Sequence, residues 1–94
     1  MTAKEGRAMV YHKTKQEAFQ AAQKATMEAK EWHDHLVRDQ ADYGHQLAHL
    51  RQEVNEAFAQ IENALEVASE TQRVQLEKFR SDLQAIVDEV NENE

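Results

Sequence analysis

Tyr43, Leu47, Leu50, Val54, Ala57, Ile61, Ala64 and Ala68 follow one another at alternating intervals of four and three residues. That spacing lines side chains along one face of an α-helix. A stripe of this length cannot be covered by its own helix, so the chain must fold back on itself, meet another copy, or do both. Few other routes are open to it. Proline is absent and glycine occurs only at Gly6 and Gly44, so sharp turns are scarce and an all-α fold follows. Ninety-four residues make a single helical domain, 1–94, whose folding buries roughly 60–65% of the unfolded surface. A core this thin gains from self-association.

A first helix is expected over about 8–34. Its stripe is Tyr11, Lys15, Ala18, Ala22, Ala25, Ala29, Trp32 and Leu36, broadened by Phe19. Alanine favours the helix and lets a neighbouring backbone come close, but it buries little area. Phe19, Trp32 and Leu36 are therefore expected to supply most of the hydrophobic gain, at about 1.5–3 kcal/mol for each large side chain fully buried. Lys15 is expected to snorkel near a bundle end.

Asp34 and Asp39 are candidate N-caps, which puts a first turn within 33–40. A second helix then spans about 40–68, with Gly44 in its first turns. Leu76, Phe79, Leu83, Ile86 and Val90 form a third stripe, one residue out of phase with the second. Ser69 followed by Gln72 at that slip is a capping box, which satisfies two orphan amides of a helix start. The spacing predicts a tight turn near 67–70 and a third helix over 70–90. The expected fold is an antiparallel three-helix bundle or long helical hairpin that self-associates. Its rival is a continuous rod over 43–90, about 70 Å long. The core is expected to hold Phe19, Ala22, Ala29, Trp32, Leu36, Tyr43, Leu47, Leu50, Val54, Phe58, Ile61, Leu65, Leu76, Phe79, Leu83, Ile86 and Val90.

The run Ile61-Glu62-Asn63-Ala64-Leu65, then Ser69, then Gln72-Arg73-Val74-Gln75-Leu76 resembles a group of small uncharacterised helical proteins from Bacillus-type bacteria. The shared pattern is Ile-Glu-x-x-Leu, a short polar turn, and Gln-Arg-x-Gln-Leu. The likeness covers about residues 43–84, with Tyr43 near its start, and does not extend to 1–35. It implies a bacterial domain of unknown function, and no functional residues carry over.

Charge and residue types narrow the function classes. Residues 1–40 hold seven Lys/Arg against six Asp/Glu, and the remainder four against twelve, leaving +1 and −8 within the net −7. An acidic surface repels phosphate backbones, so nucleic acid is not an expected partner. Cysteine is absent, which removes disulfides and thiolate metal sites. No apolar run approaches the ~18 residues of a membrane span, and no signal-peptide core opens the chain. A cytoplasmic protein that avoids membranes is expected.

The five histidines make metal binding the first chemistry to test. His45 and His49 stand four apart on one helix face, a spacing that can chelate a divalent ion. They are the only metal candidates, and weak ones: no Glu between them could activate water, and the ladder register turns both toward solvent. His33 and His35 flank Asp34 and read as turn residues, while His12 has no evident partner. The carboxylates Glu53, Glu56, Glu62, Glu66, Glu70, Glu77 and Asp82 fall on outward positions, away from any pocket that would tune them for acid–base work. No cofactor and no catalysis are expected. Trp32 is the sole tryptophan and reads as core, or as an interface anchor if exposed. Arg73 and Arg80 flank Glu77 and read as a salt-bridged surface.

The expected function is that of a protein-interaction or assembly module, a homo-oligomer with a dimer first, meeting an unknown protein partner. The alternative is an acidic regulator that masks a basic surface. A weak metal-binding protein comes third.

Overall fold

The computed structural model describes residues 14–36 and 41–92. These form α1 (Lys15–Asp34), α2 (Tyr43–Val67) and α3 (Glu70–Glu92). The three run up, down and up. Trp32 stacks on His49 across the antiparallel α1/α2 pair, and Arg80 reaches Glu62 across the antiparallel α2/α3 pair. Phe19 meets Phe79 and Lys30 meets Asp82 along the parallel α1/α3 pair. The fold is the expected all-α three-helix bundle.

The continuous rod does not form, because the α2–α3 junction is capped on both sides. Ala68 is extended, with φ −74° and ψ 145°. Ser69 Oγ accepts from the Gln72 amide at 3.2 Å, and Gln72 Oε1 accepts from the Ser69 amide at 3.2 Å. The Arg73 guanidinium donates to the Leu65 carbonyl at 3.2 Å, satisfying one orphan acceptor at the end of α2. Ser69→Ala should cost about 1 kcal/mol in a urea titration, the usual worth of such a cap.

α1 starts later than its stripe suggests. Thr14 is extended, its Oγ1 accepts from the Glu17 amide at 3.0 Å, and Glu17 Oε1 accepts from the Thr14 amide at 3.2 Å. Lys15 is thus the first residue of α1 and is exposed, not part of the seam. Tyr11 and His12 lie outside the described residues, as does Asp39. Asp34 is the last residue of α1 and caps no helix start. The residue preceding α2 is Asp42, whose Oδ1 accepts from the Gln46 side-chain amide at 2.7 Å instead of from a backbone amide. Gly44 sits in the first turn of α2, with nothing within 4 Å of the position a Cβ would take. Gly44→Ala should therefore raise stability by about 0.5–1 kcal/mol, read from the same denaturation.

Alanine dominates the contact between α1 and α2. Ala18, Ala22, Ala25 and Ala29 are buried on α1, as are Ala57 and Ala64 on α2. In the antiparallel register set by Trp32 and His49, Ala25 comes level with Ala57 and Ala18 with Ala64. The two backbones accordingly approach each other more extensively than either approaches α3. Leu47, Leu50, Val54, Ile61 and Leu65 continue the core on α2, and Leu76, Leu83, Ile86 and Val90 supply it on α3. Thr26 is buried too, its hydroxyl donating to the Ala22 carbonyl at 2.8 Å.

The large side chains expected at the centre of α1 are displaced. Phe19, Trp32 and Leu36, with Tyr43, Phe58 and Phe79, are only partly buried and pack against the aliphatic core from outside. Where two helices meet on alanine there is no space at the axis for a ring. The aromatics therefore close the flanks of the bundle, and the aliphatic residues of α2 and α3 fill its middle.

Candidate functional site

The features that could recognise something gather at the end of the bundle where α1 finishes, α2 begins and α3 finishes. At the opposite end the two residues Ala68 and Ser69 tie α2 directly to α3. Here those two helices have no covalent link, and a shallow groove of about 170 Å³ opens between them. Leu50, Val54, Ile86, Val87 and Val90 wall it, with Arg51, Asn55 and Asn91 on the rim. These lining residues include no carboxylate, imidazole or hydroxyl. The groove can receive an apolar side chain and offers no general acid or base.

On the α1 side of α2 lies a cluster of rings. Trp32 projects from the last turns of α1 and is half-buried, so it serves as core flank and surface at once. The His49 imidazole stacks on it with centroids 4.9 Å apart and planes 6° from parallel. His45 meets His49 edge-on at 4.8 Å. The outward placement expected of the two histidines holds for His45, which is exposed, and fails for His49, which is half-buried. The indole supplies an apolar face that draws the imidazole back against the bundle.

His35 is a turn residue, as expected, but His33 is helical. His33 belongs to the last turn of α1 and places Nε2 3.1 Å from Glu89 Oε1 on α3, with Nδ1 3.8 Å from Asp34. His35 follows as the C-cap, its Nδ1 2.8 Å from the Glu31 carbonyl. Neither joins the His45–His49 pair. Position in the sequence could not show this, because the contact to Glu89 spans 56 residues.

Charged pairs stitch the remaining surface. Arg80 binds Glu77 at 3.0 Å and Glu62 at 2.9 Å, as expected of a salt-bridged face, whereas Arg73 turns to the Leu65 carbonyl instead. Asp82 is the centre of a second set, with Lys30 Nζ at 2.9 Å and Lys78 Nζ at 3.5 Å. The hydrogen bond from Lys30, aided by the charges of Lys30 and Lys78, outweighs partial burial and holds the Asp82 carboxyl below its ordinary 3.8. A depressed carboxylate contributes stability above its unfolded pKa and loses it as pH falls through the folded one. Asp82→Asn should thus be less stable than the parent at neutral pH. The gap should close on acidification below about pH 4, as followed by denaturation across pH.

Among the described residues, no helix is long and apolar enough to cross a membrane. Neither a family model, nor a curated protein, nor a solved structure matches the chain.

Proposed function

We propose that this chain is an assembly module of the cytoplasm, acting by docking a helical face and not by catalysis, and that its first partner is a second copy. The observation that carries this reading is the groove between α2 and α3. Its walls are Leu50, Val54, Ile86, Val87 and Val90; all but Val87 are already buried in the core, so the gain from losing water falls on Val87 and on whatever apolar side chain enters. Its rim is Arg51, Asn55 and Asn91, whereas the surface beyond it carries Glu56, Glu62, Glu66, Glu70 and Glu77. Two acidic copies repel each other over most of residues 41–94. A lining without carboxylates lets an apolar side chain of a second copy enter with less repulsion than over the glutamates beyond it.

The test is solution mass by sedimentation equilibrium, on the parent and on Val87→Glu. Val87 is only partly buried, so the variant folds while placing a charge in the groove. A dimer that Val87→Glu dissociates supports the reading. A parent that stays monomeric at every concentration, or a dimer indifferent to the variant, overturns it.

The charge of −8 over residues 41–94 favours a second reading, an acidic regulator that covers a basic surface on another protein. Its binding would weaken steeply between low and physiological salt. Groove-driven dimerisation would change little over the same range.

A further inference from the structure

His45 and His49 lie one turn apart on α2, and their ring centroids are 4.8 Å apart. An ion bonded at about 2.0–2.1 Å to one nitrogen of each imidazole sits about 3.2 Å from each centroid. With a nitrogen–metal–nitrogen angle near 100°, the two centroids would then be about 4.9 Å apart. The centroid separation suits chelation; the planes stand 79° apart, and convergence of one nitrogen from each ring is completed by rotation of the exposed His45. Trp32, stacked on His49 with planes 6° from parallel, restrains one of the two imidazoles, so less ordering remains to be done when an ion arrives.

We propose that His45 and His49 form a two-point site for a divalent transition-metal ion that favours imidazole, with Cu(II) bound most tightly and Ni(II) and Zn(II) behind it. Among the described residues no group of three or more His, Cys, Asp or Glu is placed to hold an ion. The described residues therefore give two ligands, with water to complete the shell. Such a site is exchangeable, unlike the closed four-ligand sites that hold a fold together. The other described histidines are engaged elsewhere, His33 with Glu89 and Asp34 and His35 with the Glu31 carbonyl.

Trp32 is the chain's only tryptophan, and it sits one ring away from the site. Bound Cu(II) quenches indole emission at such short range, so the natural sequence carries its own reporter. Tag-free protein is titrated with Cu(II) chloride at about pH 7.5 while Trp32 fluorescence is followed. Electron paramagnetic resonance of the same samples counts the nitrogens on copper. The expected result is quenching that saturates at one equivalent, with two nitrogens bound.

His45→Ala removes an exposed ring and should weaken binding by about 100-fold, because the second ligand of a chelate acts intramolecularly. His49→Ala should do the same, and His35→Ala should leave the curve unchanged. Absence of saturable quenching overturns the proposal, as does a curve that His45→Ala does not shift.

Discussion

Truncating Leu83 to alanine is expected to lower the unfolding free energy by about 2–5 kcal/mol. Leu83 is fully buried at the middle of α3 and belongs to the same apolar core as the alanines of α1 and α2. Removing it forfeits the transfer free energy of the lost carbons and leaves a cavity that the backbones cannot close, because α1 and α2 already meet on alanine. The site has little freedom to collapse, which places the loss toward the upper part of that range. Small domains hold a total of about 5–15 kcal/mol, and one of this size lies near the lower limit. Each kcal/mol moves the melting midpoint by about 4–8 °C, so a fall of at least about 10 °C is expected. Val74 is 70% exposed on the same helix, and Val74→Ser should stay within about 0.5 kcal/mol. Urea titration of both variants checks the pair. A Leu83→Ala loss under about 1 kcal/mol would mean that α3 is not packed as described.

Enlarging a small residue tests the other half of the architecture. Ala22→Leu is expected to destabilise by about 1–3 kcal/mol or more, although leucine is as good a helix former and more hydrophobic. Ala22 has no exposed surface and is one of the alanines buried on α1, whose contact with α2 is the most extensive in the bundle. Three added carbons there must push the helices apart, and separating them loosens the contacts of every alanine along the seam. The exposed Ala59 on α2 gives the control, since Ala59→Leu should be close to neutral. If both leucine variants behave alike in thermal denaturation, the close approach is absent.

Much of the bundle was legible from residue spacing. The apolar ladder of α2 is buried at Leu47, Leu50, Val54, Ala57, Ile61 and Ala64, and Ser69 with Gln72 marks the junction to α3. Both signals are local: one is a period, the other a pair three residues apart. The Thr14–Glu17 box is just as local, and could have fixed the start of α1. The apolar stripe obscured it by running past it to Tyr11.

Other features are not encoded in spacing. Periodicity says which face of a helix points inward but not how deep each side chain goes. Phe19, Trp32 and Phe79 therefore looked central and lie on the flanks. Depth follows from how near two helices come, and that depends on both seams together. The ring cluster was hidden for the same reason. His49 lies on the edge of its helix face, and only the position of Trp32 on another helix decides whether it meets water or an indole.

The two connections differ in what they let the chain's length do. Eight residues join α1 to α2, whereas Ala68 and Ser69 alone join α2 to α3. One residue added at the shorter link would rotate α3 by about 100° about its own axis. Leu76, Leu83, Ile86 and Val90 would swing away from the core together. The longer link can absorb such a change without turning either helix. Natural variants of this protein should accordingly gain or lose residues between the first two helices and keep the same count between the last two.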